Sequence, residues 1–179
     1  APNGFWEKKE DFFRDLKNMK KITIIGTGYV GLVSGAGLAE FGHEVTCLDI
    51  DEEKISKLND GLMPIYEPGL KKLVSKNVKD KRLIFSTNID SVIQQSRIIF
   101  IAVGTPQGKD GKADLTVIKQ VVKKIIDNLN FYKIICTKST VPVGTGDWIN
   151  NKITKKHSSD KFDYVSNPEF LREGSAVND

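Results

Sequence analysis

A chain of 179 residues with 39% hydrophobic and 28% charged residues is long enough to bury one sizeable core and is ordinary in composition for a globular protein. Its net charge of +4 is spread thinly, and the lysine-rich stretches Lys71–Lys81 and Lys152–Lys161 carry no interleaved aromatic residues, so they read as solvated helix faces, not a nucleic-acid surface. No apolar run approaches the roughly 18–20 residues of a membrane span, and the first residues lack the apolar core of a signal peptide.

Only Cys47, Cys136, His43 and His157 are available as soft ligands, which argues against a disulfide framework or a metal site. Both cysteines fall inside apolar runs and read as reduced, small core residues of a cytoplasmic protein.

Residues 1–18 precede the first regular pattern. Glu7 to Leu16 sets Phe12, Phe13 and Leu16 on one helical side. Two readings stay open: an extension ahead of Met19, or a helix that docks on the domain or on a partner. Ile22–Ile25 is then a β-branched run expected to form a buried strand. Gly26-Thr27-Gly28-Tyr29-Val30-Gly31 follows at once and fits G-x-G-x-x-G, a helical pattern runs to Phe41, Gly42 stops it, and a second apolar strand finishes on Asp49. The glycines suit a tight turn, a backbone approached by a pyrophosphate, and close packing of helix on strand. The helix N-terminus offers free N–H groups to the phosphates. Asp49, 23 residues beyond Gly26, stands where dinucleotide folds hold the adenosine ribose. A carboxylate there favours NAD over NADP, because it repels a 2′-phosphate. Asp49 could instead cap the next helix, a role equally open to Asp51.

Asp51-Glu52-Glu53 begins that helix, which runs through Leu58 and stops at Asn59-Asp60-Gly61, with Lys54 one turn in and close to the expected ribose. Met63–Leu70 is a proline-stiffened loop, with Pro68 suited to the first turn of the following helix and Tyr66 and Glu67 reading as loop and cap residues. Arg82–Ser86 is a short strand and Ile89–Gln95 a short helix. Arg97–Val103 is a continuous apolar run, the mark of a strand covered on both faces, and it ends in Gly104-Thr105-Pro106. Asp114–Leu129 is an amphipathic helix. Lys133–Thr137 is a strand, Lys138–Gly144 a loop, Thr145–Lys155 a helix and Phe162–Ser166 the last strand. Alternation of this kind predicts a doubly wound parallel sheet, a Rossmann α/β domain over residues 19–179. Its ligand would lie outside the carboxyl ends of the strands, the edge that also carries Thr105, Ser139, Thr140 and Asn167-Pro168-Glu169.

Six segments, in order, carry a resemblance: GTGYVG at 26–31, DIDEEKI at 49–55, PIYEPGL at 64–70, GTP at 104–106, KSTVPVGT at 138–145 and NPEFLREGSA at 167–176. Together they resemble the UDP-glucose/GDP-mannose dehydrogenase family of nucleotide-sugar dehydrogenases. The likeness is greatest to members acting on UDP-glucose, although members acting on GDP-mannose or UDP-acetamido sugars share the frame. The resemblance implies two successive NAD-dependent oxidations of the sugar C6 alcohol, UDP-glucose to UDP-glucuronate, in polysaccharide precursor synthesis. It further implies a cysteine that traps the aldehyde as a thiohemiacetal and is freed by hydrolysis of a thioester.

Carried over residue by residue, Gly26, Gly28, Tyr29, Val30 and Gly31 would hold the pyrophosphate, and Asp49 and Lys54 the adenosine ribose. Thr105, Ser139 and Thr140 would line the cofactor near the nicotinamide. Glu169, Phe170, Leu171, Arg172 and Glu173 would border the sugar, with Glu173 also close to the nicotinamide. Thr140, Glu169 and Glu173 are the candidate catalytic residues, since a hydroxyl and a carboxylate can together hold and polarise a water. Read without the resemblance, Thr140 is a helix cap and Arg172 half of a surface salt bridge.

One departure is large. The family's nucleophile lies in a segment ending Ser-Cys-Phe-Pro-Lys-Asp, which this sequence lacks, and neither Cys47 nor Cys136 has an adjacent base to stand in for it. The expectation is therefore the NAD-binding half of a longer enzyme. The whole would be a homodimer acting on a nucleotide sugar, without nucleic-acid or membrane partners; the piece alone would be an inactive monomer. A free-standing, non-catalytic NAD-binding module is the competing expectation.

Overall fold

Runs of isoleucine and valine alternate with helix-period segments, and the chain folds accordingly. The computed structural model describes residues 21–177; the readings for residues 1–18 lie outside them. Six strands, β1 (Lys21–Ile25), β2 (Glu44–Leu48), β3 (Leu83–Ser86), β4 (Ile98–Ile101), β5 (Lys133–Thr137) and β6 (Phe162–Ser166), form one sheet in the order β3-β2-β1-β4-β5-β6, every pair parallel. The helices between them are α1 (Tyr29–Glu40), α2 (Glu52–Asn59), α3 (Leu70–Lys79), α4 (Ile89–Gln95), α5 (Thr116–Asp127) and α6 (Thr145–Thr154). This is the doubly wound, Rossmann-like α/β architecture the alternation implies. β1 lies between β2 and β4, so the strand order reverses there and opens a crevice at its carboxyl end.

Side chains of β1 alternate between two cores. Ile22 and Ile24 join Leu32, Val33 and Ala36 of α1, Ile55 and Leu58 of α2, and Leu70 and Val74 of α3. Ile25 faces the other way and packs with Ile93 of α4, Ile118, Val122 and Ile125 of α5, and Ile149 and Ile153 of α6. Cys47 and Cys136 are both buried within strands, as expected. At the amino-terminal end of the sheet Lys133 is fully buried, its Nζ donating to the Ser96 carbonyl at 2.7 Å and lying 3.6 Å from the Phe131 ring centroid. Burial, with Arg97 nearby, lowers its pKa to about 8.

Two local expectations need correction. Pro68 does not enter a helix. It occupies the second position of a turn closed by Leu70 N donating to Glu67 O at 3.1 Å, and Gly69, at φ 81°, caps α3 from outside. Proline followed by a left-handed glycine is the chemistry of a type II turn, which wins over the helix-start preference. Thr140 is not a helix cap either, because α6 begins only after Gly144, whose φ is 88°. Elsewhere the differences are of one to three residues at element ends: α5 is shorter at both ends than 114–129, and β4 shorter than 97–103.

Two glycines of α1 give a direct test of the packing. A Cβ on Gly31 would sit 1.9 Å from the Gly26 carbonyl oxygen, whereas one on Gly37 would meet nothing within 4 Å. Gly31→Ala is expected to lower stability by about 1–3 kcal/mol or more, and Gly37→Ala to raise it by up to about 1 kcal/mol through helix propensity. Urea unfolding midpoints of the two variants, moving in opposite directions, check this; parallel shifts would contradict it.

Candidate functional site: the carboxyl edge of the sheet

The chain leaves β1 through Gly26, whose φ of 107° suits only glycine and whose amide donates to the Leu48 carbonyl at 2.7 Å. A Cβ at Gly26 would lie 2.5 Å from the Ala102 carbonyl oxygen, so the ends of β1, β2 and β4 converge on this one residue. α1 begins immediately after Gly28, with no side-chain cap and no acidic residue in its first turn. Its first main-chain bond is Leu32 N to Gly28 O at 3.0 Å, which leaves the amides of Tyr29, Val30 and Gly31 without intrahelical acceptors. A Cβ on Gly28 would meet nothing within 4 Å, so the helix end faces open space where an anion can reach the backbone.

Asp49 closes β2 on the other side of this opening. Its Oδ2 accepts from the Thr27 amide at 3.0 Å, the Thr27 hydroxyl at 2.7 Å and Lys54 Nζ at 3.0 Å, while Oδ1 accepts from the Asp51 amide at 3.2 Å. Burial pushes the Asp49 carboxyl upward, but the Thr27 hydroxyl and amide, Lys54 and the Asp51 amide outweigh it and hold the group below the usual carboxylate range. Asp49 is not a helix cap: Asp51 caps α2, accepting from Lys54 N at 2.9 Å. The Oδ1 edge therefore retains acceptor capacity toward a cavity of about 650 Å³ lined by Gly26, Gly28, Asp49, Lys54, Val103 and Val121, among others. That size suits a small-molecule or cofactor pocket.

Farther along the edge, the loops after β4 and β5 are laced together. Ser139 Oγ donates to Val103 O at 2.6 Å and Thr105 Oγ1 donates to Thr140 O at 2.8 Å. Both hydroxyl protons are committed to protein carbonyls, so toward a ligand these side chains act as acceptors. Thr140 itself is exposed, and among the described residues no hydrogen bond links its hydroxyl to Glu169 or Glu173.

The segment after β6 meets the glycine turn. Glu169 Oε2 accepts from Leu171 N at 2.7 Å, Phe170, Arg172 and Glu173 are exposed, and the Arg172 carbonyl accepts from Tyr29 Oη at 3.2 Å. Glu67, read from sequence as a loop or cap residue, is instead buried and accepts from Tyr29 Oη at 2.8 Å and from the amides of Gly174 and Ala176 at 2.8 and 2.9 Å. Its amide partners are more than 100 residues away in sequence, beyond the reach of any local pattern.

The two cysteines are chemically quiet. Burial pushes the Cys47 thiol up to about 12 and the Cys136 thiol up to about 11, the opposite of what a nucleophile requires. Among the described residues there is no group of three or more His, Cys, Asp or Glu side chains able to hold a metal ion, and no helix long and apolar enough to cross a membrane.

Residues 20–179 match the model of the UDP-glucose/GDP-mannose dehydrogenase family, NAD binding domain. The UDP-glucose 6-dehydrogenase TuaD of Bacillus subtilis (strain 168) is 60% identical over 163 residues, spanning 90% of this chain and 35% of that protein. The UDP-glucose 6-dehydrogenase of Rhizobium meliloti (strain 1021) is 50% identical over 160 residues, 89% of this chain and 37% of that protein. Among solved structures, the ternary complex of GDP-mannose dehydrogenase from Pseudomonas aeruginosa superimposes with a TM-score of 0.83 at 35% identity, over 89% of this chain and 38% of that one. The UDP-glucose dehydrogenase of the hyperthermophilic archaeon Pyrobaculum islandicum gives a TM-score of 0.83 at 34% identity, over 88% and 38% of the two chains. The chain thus spans little more than a third of the length of the relatives it matches. Its sequence and its fold both assign it to the UDP-glucose/GDP-mannose dehydrogenase family, to the part that binds NAD.

Proposed function

We propose that this chain is the cofactor-holding part of a UDP-glucose 6-dehydrogenase, with NAD lying across the carboxyl ends of β1, β2 and β4. The observation that carries the reading is an uncapped, acid-free α1 N-terminus next to the fixed Asp49 carboxylate, with Gly28 and Asp49 both lining one cavity. The amides at the start of α1 hold the pyrophosphate, and Gly28 leaves it room. The free edge of Asp49 accepts from the adenosine ribose hydroxyls. Lys54, which also lines the cavity, is ion-paired with that carboxylate through Oδ2, so its charge is largely spent on Asp49 and not on a 2′-phosphate. When bound, NAD supplies the hydride acceptor for oxidation of an alcohol carbon.

Thr105, Ser139 and Thr140 border the nicotinamide end, where the first two present oxygens already oriented by their carbonyl acceptors. Glu169 to Glu173 border the sugar, and Thr140, Glu169 and Glu173 are the groups available to hold a water at the reacting carbon. UDP-glucose is favoured as substrate because relatives carrying that name reach 60% identity. GDP-mannose is the second reading, since a dehydrogenase of that sugar shares the fold as closely as the archaeal UDP-glucose enzyme. A cysteine thioester would need a nucleophile other than Cys47 and Cys136, so the 179-residue chain is expected to bind NAD without oxidising UDP-glucose.

Calorimetric titration tests the cofactor reading. Gly28→Val is expected to weaken NAD binding at least about tenfold by filling the anion's approach, with an unfolding midpoint close to that of the parent. Asp49→Asn is expected to cost NAD about tenfold or more and to narrow the gap between NAD and NADP, because Lys54 loses its carboxylate partner. Undiminished NAD affinity in both variants would contradict the site.

The pH dependence has a definite sign. Asp49 has a depressed folded pKa, so its contribution to stability is complete above its unfolded value of about 3.9 and is lost as pH falls through the lower folded value. Acid unfolding of the parent compared with Asp49→Asn checks this: the variant is expected to lack that part of the acid-side loss, and identical profiles would contradict it. Mixing the parent chain with NAD and UDP-glucose is expected to give no NADH absorbance; sustained turnover would overturn the assignment of an incomplete catalytic apparatus.

A further inference from the structure

Glu67 is a carboxylate that the proposed cofactor and sugar contacts leave unused, yet it is among the most thoroughly engaged in the molecule. It is only 4% exposed and stands at the first position of the type II turn ahead of α3. Oε2 accepts from Tyr29 Oη and from Gly174 N, both at 2.8 Å, and Oε1 accepts from Ala176 N at 2.9 Å. Two amides, two residues apart, thus converge on one anion, an internal version of the anion-binding nests that backbone forms around phosphates. The loop can wrap this way because Gly174 adopts φ 90° and Ser175 N closes a turn on Arg172 O at 3.1 Å.

The residues tied together are far apart in sequence. Tyr29 is the first residue of α1, inside the glycine motif, and it shares its phenol proton between Glu67 and the Arg172 carbonyl. Burial, with Glu67 and then Glu173 nearby, pushes the phenol up to about 12, so at neutral pH it is a proton donor throughout. Ala176 is buried with Leu70 and Val74 and anchors the far end of the segment, whereas Arg172, Glu173 and Gly174 remain exposed at the edge. A side chain that merely stapled a loop to the core would need only the amide bonds. This one is also bonded to the turn that faces the cofactor.

We infer that Glu67 is a positioning residue, which clasps the Gly174 and Ala176 amides with its carboxylate and the first turn of α1 through Tyr29, so that Glu173 and the pyrophosphate-holding backbone are placed by one side chain. The inference rests on the proposed cofactor and sugar roles of these segments. It makes the cofactor turn and the sugar-bordering segment mutually dependent: ordering one favours the other.

The test uses the whole 179-residue chain, isotopically labelled, as parent, Glu67→Gln and Tyr29→Phe. Amide exchange at Gly174 and Ala176 is followed with and without NAD, and NAD affinity is measured by calorimetry. An amide side chain has one acceptor oxygen and cannot satisfy donors on both sides. Exchange at one or both of these amides should therefore rise at least about tenfold in Glu67→Gln, with the amides of β1 and β4 unchanged. NAD affinity should fall about fivefold or more. In the parent, NAD should slow exchange at Gly174 and Ala176, and in Glu67→Gln it should not.

Unchanged exchange at both amides overturns the clasp, and raised exchange with unaltered NAD affinity reduces Glu67 to a loop staple and overturns its positioning role. If Glu67→Gln loosens β1 and β4 as well, Tyr29→Phe decides. That variant keeps the carboxylate and its amide partners, and it should still weaken NAD and abolish the slowing by NAD; parent-like behaviour overturns the inference. A parent that binds no NAD but whose Gly174 and Ala176 exchange responds to Glu67→Gln would instead count against the proposed function, leaving the clasp in place as structure alone.

Discussion

Space that no side chain may enter is the constraint on which this structure depends. The Gly26 carbonyl occupies the position a Cβ on Gly31 would need, and the Ala102 carbonyl occupies the position a Cβ on Gly26 would need. Those two approaches bring the start of α1 directly over the carboxyl end of β1 and against β4. With any side chain at either position the helix would have to withdraw from the sheet. Its free amides would then no longer stand at the place where the strand order reverses. The same constraint seats Leu32, Val33 and Ala36 against Ile22 and Ile24, so that the core and the cofactor edge share one cause.

Charge is handled with similar economy around that helix end. Asp49 is held by Thr27 from the glycine turn and by Lys54 from α2, so the carboxylate that closes β2 is fixed by both of these neighbouring segments. With Thr27 and Lys54 all on Oδ2, Oδ1 carries only the Asp51 amide and retains acceptor capacity. Glu67 is the counterpart on the other side of α1: buried, held by backbone amides and a phenol, and bonded to the segment that follows β6. Two carboxylates thus flank one helix N-terminus without entering its first turn, which keeps the amides there open to an anion.

How much of this could be read beforehand follows from the range of each interaction. The inner strands of the parallel sheet appear as largely apolar runs, the partly exposed edge strands β3 and β6 were recognisable from the alternation with helices, and the glycine motif with its following acid located the crevice. Helix ends were less exact, because the terminal turns are set by local bonds, such as the Thr116 amide donating to Asp114 Oδ1 at 2.8 Å ahead of α5, and not by periodicity. Pro68 misled because proline is equally at home in a helix's first turn and in a type II turn, and only Gly69 beside it decides between them. The choice between Asp49 and Asp51 as cap was open in sequence and is resolved by which carboxylate meets the Lys54 amide. Glu67 stood inside the PIYEPGL segment, but its role was not legible there, since its partners lie at 29, 174 and 176.

The central claim is geometric, that NAD lies across β1, β2 and β4 with its phosphates at the start of α1. The most direct measurement is a crystal structure of the chain grown with NAD. The account predicts pyrophosphate density within hydrogen-bond reach of the Tyr29, Val30 and Gly31 amides, over Gly28, and the adenosine ribose hydroxyls on Asp49. Density for the cofactor elsewhere, or a ribose that avoids Asp49 while the Gly28 turn stands empty, would contradict it.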